Sequence, residues 1–317
     1  MKKRTIRKIL GGFKSYVPGG VSIHGTGGTD SARYCYTIWL RHLSMLHKNG
    51  FSKIPNTIAE LGPGDSIGTG LAGLLSGSEK FYALDVIEHT HVKKNIPIFD
   101  ELVSLFADRS ALPGDDEFPR AVPRLDSYNF PSEIFADSNL EKFLDKSRIQ
   151  SLRNELLDMK KQKKSIQYMC PWNDPEIIEN NSVDLVFSQA VLEHVEDLNH
   201  TYAAMYKWVK KGGYISNAID FESHGLSSEW NGHWSFSDLT WKLIKGNRPY
   251  LINREPLSKH IESAQDAGFE IISVIPVKIL TSDEYTGTIE RNKLAKKFRN
   301  MSEEDFTTTS AYILARK

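Results

Sequence analysis

The sequence predicts an α/β protein built on a doubly wound, mostly parallel sheet of seven strands, with an antiparallel last strand and a helical insertion. Three stretches predict it. Asn56 to Glu88 reads as strand, glycine turn, helix and strand, and the two strands run into the acids Glu60 and Asp85. Val183 to Phe187 is a near-continuous apolar run, the pattern of a parallel strand buried on both faces. Thr201 to Ile219 reads as helix, Gly212-Gly213, strand, and glycine at such a junction supplies the left-handed cap that other residues resist.

The remaining elements follow in order. Residues 1 to 30 are basic, then glycine-rich, and are expected to be irregular. Asp30 to Asn49 keeps a period near four through Tyr34, Ile38, Arg41 and Met45; Asp30 or Ser31 can cap this helix and Gly50 can stop it. Thr57-Ile58-Ala59 and Phe81 to Leu84 are the first two strands, joined by a helix through Leu71, Leu74 and Leu75. From His89 to Lys164 the chain departs from a minimal fold. Ile96 to Phe106 and Asn139 to Lys164 have helical spacing, with a proline-rich loop between them. A cap over the acceptor and a dimerisation element compete as the purpose of this insertion. Ile166 to Met169 is the third strand, and Leu257 to Ala267 a late helix. Phe269 to Leu280 and Ser310 to Ala315 complete the seven strands. The domain reading is an N-terminal arm and helix over 1–50 and one main domain over 51–317, interrupted by the insertion at about 91–164.

The 317 residues carry 40 Lys and Arg against 40 Asp and Glu, so the overall charge favours no nucleic-acid partner. Cys35 and Cys170 form no ligand or redox pattern, and a reduced compartment is expected. The opening MKKRTIRKILGGFKSYVPGG lacks the apolar core of a signal peptide, and no run is long enough to span a bilayer. A cytoplasmic protein follows as the expectation, with only weak attraction of the basic N-terminus to anionic lipid.

The run from Glu60 through Gly62, Gly64 and Gly68 does not follow the dinucleotide pattern GxGxxG. An acid two residues before the first glycine would repel a pyrophosphate but suits a cationic ligand. This stretch resembles the first motif of class I S-adenosylmethionine-dependent methyltransferases, in which an acid precedes a GxG turn and a second acid holds the ribose hydroxyls. Val191-Leu192-Glu193-His194-Val195 is similar to a second signature of that family, and the helix, double glycine and strand junction to a third feature. The resemblance covers about half the chain. It implies a Rossmann-like methyltransferase fold and S-adenosyl-L-methionine as cofactor. The residues it points to for the cofactor are Glu60, Gly62, Gly64, Asp85, Val86, Ser188 and Gln189. Where the family often has a polar residue reading the adenine, this chain has Cys170-Pro171-Trp172, and Trp172 is the stand-in. The resemblance also puts Arg33 and Tyr34 near the cofactor mouth, whereas periodicity alone gives an amphipathic helix.

Acceptor chemistry is expected after the fifth strand, where Asp220 to Trp234 gathers two His, three acids and two Trp. Methyl transfer needs alignment above all, and an alcohol acceptor also needs a base. His224 is the expected base, oriented by Asp220, with His233 next. Glu193 and His194 read either as acid and base or as a loop clasp. No ligand spacing is diagnostic of a metal, and none is expected. Trp234, Arg248, Tyr250 and Arg254 are the expected acceptor contacts, because aromatic faces beside Arg suit a polyhydroxylated or anionic molecule. From Asp220 to Arg254 the chain resembles methyltransferases of bacterial surface polysaccharides and sugars, which implies a hydroxyl of a sugar or glycan precursor as acceptor. A lipid, a small metabolite, a phosphorylated intermediate and a non-catalytic binding homologue stand as alternatives. A homodimer remains compatible with the insertion.

Overall fold

In a computed structural model, residues 3–17, 28–135, 137–159, 164–172, 174–248, 250–278 and 285–317 are described. The elements in chain order are α1 (Lys3–Lys14), α2 (Ala32–Lys48), β1 (Thr57–Leu61), α3 (Gly68–Leu75), β2 (Lys80–Leu84), α4 (Val92–Ala107), α5 (Asp137–Phe143) and α6 (Lys146–Leu157). They continue as β3 (Ile166–Met169), β4 (Val183–Gln189), α7 (Leu198–Trp208), β5 (Val209–Asp220), α8 (Asp238–Lys245), α9 (Leu257–Asp266), β6 (Glu270–Lys278), α10 (Glu303–Thr307) and β7 (Thr308–Arg316). The seven strands form one sheet in the order β3-β2-β1-β4-β5-β7-β6. Only β7 runs against the others, pairing antiparallel with both β5 and β6. This is the expected Rossmann-like methyltransferase fold. The ends of β1, β2, β3, β4 and β5 share one carboxyl edge, and the strand order reverses between β1 and β4, where such sheets bind ligands.

Both faces of the sheet are covered. One core joins α2, α3, α4 and α6 to β1 and β4 through Trp39, Leu71, Phe99, Phe106, Leu152 and Phe187. The other joins α7 and α9 to the opposite face through Tyr202, Met205, Trp208, Ile215 and Ile313. Ser31 is the cap of α2, its side chain accepting from the Tyr34 N–H. The proline-rich loop is clamped to α2 by Arg41, which is fully buried. Its guanidinium donates to the Ala121 carbonyl (2.7 Å), the Pro123 carbonyl (2.9 Å) and Asp115 (3.2 Å).

The insertion is therefore part of the main core: Phe99, Leu102, Phe135, Leu140 and Leu156 are buried in it. Removing it whole would take out one wall of the fold. The long helix expected from Asn139 is two helices, broken where Asp145 caps α6 by accepting from Ser147 and Arg148. Residues 160–163 of the expected lysine-rich tail, and 279–280 of the expected sixth strand, lie outside the described residues, as do glycines 19, 20, 25 and 27.

The N-terminal arm differs from expectation, since α1 is helical over Lys3–Lys14. Gly11 and Gly12 disfavour helix by about 1 kcal/mol each, which masks the spacing of Ile6, Ile9, Leu10 and Phe13. Packing reverses that preference. A Cβ at Gly12 would lie 1.9 Å from the Leu243 carbonyl oxygen, so glycine is what lets α1 lie directly on the backbone of α8.

Candidate active site

The cofactor end is built by the turns after β1 and β2. Gly62 and Gly64 have φ of +63° and +74°, a region that side chains resist. A Cβ at Gly62 would sit 2.6 Å from Val191, so this glycine also lets the VLEH loop close against the turn. Glu60, at 3% exposure, leaves Oε2 without a hydrogen-bond partner among the described residues. Burial pushes its carboxyl up to about 8, against opposing bonds from the Thr69 hydroxyl and the Gly70 N–H at the start of α3. Asp85 directly follows β2 and is 6% exposed. Its Oδ1 accepts from the Val86 N–H at 2.8 Å, while Oδ2 has no partner among the described residues. Burial raises this carboxyl too, although the Val86, Ile87 and Gly64 N–H groups and His89 oppose the shift. Val86 is exposed, next to the acid.

Ser188 and Gln189 end β4 as expected. Ser188 is buried and donates to Asn217 at 2.8 Å, whereas Gln189 keeps Oε1 unpartnered among the described residues. Trp172 requires a correction. Its indole is buried and packs edge-on to Trp208 (centroids 5.5 Å) within the α7 core, so the ring serves that core rather than standing open at the sheet edge. Its backbone N–H instead donates to the Asp85 carbonyl at 2.9 Å, tying the turn after β3 to the turn after β2.

At the acceptor end, Asp220 is the last residue of β5 and His224 faces it, with Nε2 3.3 Å from Asp220 Oδ2. Desolvation lowers the His224 pKa, but the bond to Asp220 and the charges of Asp220, Glu193 and Glu222 outweigh it, and the net direction is upward. Asp220 moves the other way: burial raises it, the His224 contact and the Arg120 charge lower it, and the net shift is downward. The two shifts describe one ion pair that favours imidazolium beside carboxylate. Arg120, from the insertion loop, contacts Asp220 and Glu222.

Glu193 and His194 join this pair. His194 Nδ1 donates to the Tyr250 carbonyl at 2.6 Å, and its ring lies 5.2 Å from that of His224. Burial and then the His224 charge hold His194 down to about 4, so it is neutral and its second nitrogen is an acceptor. Glu193 is 3% exposed, and neither carboxylate oxygen has a partner among the described residues. Burial first, then the Asp220 charge, pushes it up to about 8. One donor atom from each of Glu193, His194 and His224 lies within 4.8 Å of the others.

Tyr250 links the two ends. Its carbonyl holds His194, its ring lies 6.0 Å from His89, and its hydroxyl is buried near Asp85 and Cys170, which contribute to pushing it up to about 12 after burial. Of the expected acceptor contacts it alone stands in the site. Arg248 packs on α1 and donates to the Lys8 carbonyl at 3.4 Å. Trp234 is fully buried among Trp230, Leu294 and Phe298, and donates Nε1–H to the Arg254 carbonyl. Arg254 is 5% exposed, stacked between Trp241 (4.6 Å) and Phe298 (5.2 Å) and paired with Asp238. His233 is 2% exposed against Trp234 and lowered by burial to about 3, which takes it out of reach of an acceptor. The corrections at Trp234, Arg254 and His233 share a reason: the aromatic residues after β5 fold into a small core of their own. Arg33 pairs with Glu117, and Tyr34 packs edge-on to Phe118, so both anchor the insertion loop.

Residues 151–216, from α6 through most of β5, match the family model of a methyltransferase domain. No curated protein matches the chain. Among solved structures, the chain is similar to an S-adenosylmethionine dependent methyltransferase from Mesorhizobium loti, at 13% identity over 92% of this chain and 100% of that one, with a TM-score of 0.43. It is also similar to S-adenosylmethionine-dependent methyltransferases from Methanosarcina mazei, at 12% identity over 86% and 96%, with a TM-score of 0.43. Phosphoethanolamine N-methyltransferase 2 of Haemonchus contortus, in complex with S-adenosyl-L-methionine, is 15% identical over 98% of this chain and 57% of its own, with a TM-score of 0.42. At these identities and scores they are likenesses only. The residues of the carboxyl edge fit S-adenosylmethionine on their own account: an unpartnered buried oxygen on Asp85 for ribose hydroxyls, a second on Glu60 for a cationic end, and a glycine turn that admits close approach.

Proposed function

We propose that this protein transfers the methyl group of S-adenosylmethionine to an oxygen of a small hydroxylated acceptor, a sugar or glycan precursor. One observation carries the reading: Glu60 and Asp85, each with one buried oxygen that has no partner among the described residues, share a sheet edge with the His224–Asp220 pair, the buried Glu193 and the half-buried His194, joined through Tyr250. When bound, the cofactor supplies an electrophilic methyl on a sulfonium. Asp85 is positioned to hold its ribose, Glu60 to face its cationic end, and Gly62 and Gly64 to let it approach. His224, in its neutral form, takes the proton that an acceptor hydroxyl loses as it is methylated, and Asp220 orients the ring and stabilises the imidazolium that results.

The acids favour one acceptor class over the others. Asp220 and Glu222 beside His224 would repel a carboxylate or phosphate, and they would hold an amine acceptor protonated and unreactive. A neutral hydroxylated molecule suffers neither effect, and its hydroxyls find acceptors in the carboxylates and a donor in Arg120. The test is a mass increase of one methyl on incubation with S-adenosylmethionine and free sugars or neutral glycans. Methylation of amines alone would overturn the oxygen reading.

A second reading is metal-assisted transfer through Glu193, His194 and His224. Each imidazole engages a backbone carbonyl or a carboxylate, the arrangement that orients metal-bound histidines. Chelator-sensitive turnover restored by a divalent cation would select it over the base; chelator-insensitive turnover would exclude it.

A further inference from the structure

The described chain exposes eight large apolar side chains, and five of them lie within twelve residues: Ile6 (42%), Leu10 (54%), Phe13 (54%), Tyr16 (64%) and Val17 (61%). Ile6, Leu10 and Phe13 are spaced by four and three, so they follow one face of α1, and Val17 lies just beyond the end of the helix. The opposite side of α1 is already engaged, with Gly12 on the α8 backbone and Ile9 packed against Trp241, Ile244 and Ile252. The exposed stripe is therefore not a face that the fold needs. Its charge is one-sided as well. The first 29 residues carry six Lys and Arg and no acid, in a chain whose formal net charge is zero. Arg7 and Lys14 are exposed, about a quarter-turn round the helix from the stripe.

We infer that α1 is a docking element for an anionic lipid surface, lying in its plane with Ile6, Leu10, Phe13 and Val17 entering the acyl boundary and the basic side chains meeting the head groups. An interfacial helix is recognised by this combination of an apolar face and a cationic flank. A second copy of the chain is the poorer occupant, because pairing two α1 faces would press two acid-free cationic helices together. No helix of the described chain is long and apolar enough to cross a membrane, so α1 would hold the protein at a surface only. The inference does not depend on the reaction proposed above.

Co-sedimentation of the full chain with vesicles tests it, using phosphatidylcholine alone and phosphatidylcholine mixed with phosphatidylglycerol. Binding is expected with the mixed vesicles at low salt, at least tenfold weaker with the neutral ones, and weakened again at high salt by screening. A variant carrying Leu10→Asp and Phe13→Asp should lose at least tenfold in vesicle partitioning. Both side chains are more than half exposed on a face that the fold does not cover, so its melting temperature should change little. Absence of binding to the mixed vesicles, or equal binding by the variant, would overturn the inference. So would a doubled mass in light scattering that the variant abolishes, since that would assign the face to a second copy.

Discussion

Asp85→Asn isolates the contact on which cofactor recognition turns. Asp85 Oδ1 is already engaged by the Val86 N–H at 2.8 Å, and only Oδ2 is open. The asparagine keeps the shape and the Val86 bond, but replaces one charged acceptor by an amide donor. The loss is one charge-assisted hydrogen bond in a buried position, about 1.5–3 kcal/mol. At about 1.4 kcal/mol per tenfold, Kd for S-adenosylhomocysteine should rise roughly 10- to 150-fold. Because burial raises the Asp85 carboxyl, affinity in the parent should also fall as pH drops through its titration, and the variant should lack that limb. Calorimetry across pH measures both. A variant Kd within twofold of the parent's, or tight NAD binding without S-adenosylhomocysteine binding, would refute the reasoning.

His224→Gln should lower turnover about 10²–10⁴-fold with S-adenosylhomocysteine affinity unchanged, and near-normal turnover would remove His224 from the mechanism. Asp220 is among the groups that raise the pKa of His224, so Asp220→Asn should move the acid limb of kcat/KM to lower pH; a limb that stays in place would separate the two residues. Glu193 is raised from 4.5 to about 8 in the folded chain, which makes the folded state the stronger proton binder over that range. Its contribution to stability is therefore present below pH ~4.5 and lost as pH rises towards 8. The melting temperature of the ligand-free protein should decline over that range and decline less in Glu193→Gln, as scanning calorimetry at several pH values would measure. Glu60, held at about 8 in the ligand-free chain, should release a proton at pH 7 when a cationic ligand arrives. Binding heats that do not vary between buffers of different ionisation enthalpy would contradict this.

The sheet was legible because each strand carries its own signal. Val183 to Phe187 is apolar but for Asp184, and Glu60, Asp85 and Asp220 stand where strands meet the edge. The cofactor turn was legible for the same reason, since Gly62 and Gly64 occupy positions that demand positive φ. The acceptor side was legible only in part. The His224–Asp220 contact spans four residues, within reach of local reasoning, and it is present. Trp234, Arg254 and His233 misled because composition cannot tell an aromatic residue that faces a ligand from one that meets another loop. Leu294 and Phe298, some sixty residues further on, are what cover Trp234. Arg120 could not be found from sequence, because it reaches Asp220 across a hundred residues.

Glu193 shows how a motif and its chemistry can come apart. The letters VLEH are readable, but whether the glutamate clasps its own loop or is held for a ligand depends on its partners. The loop is clasped by Asn253, whose side chain donates to the carbonyls of Leu192 (2.7 Å) and Val195 (2.9 Å) and whose backbone N–H donates to the Glu193 carbonyl (2.6 Å). With the loop secured in that way, the Glu193 carboxylate is not needed for it, and its two buried oxygens have no hydrogen-bond partner among the described residues. Such a group is costly to keep, so structure alone gives no reason for an acid there. An apolar residue of similar size would pack as well and fold more stably. What an apolar residue could not do is meet a hydroxyl beside His224, and that is the ground for placing Glu193 with the acceptor rather than with the scaffold.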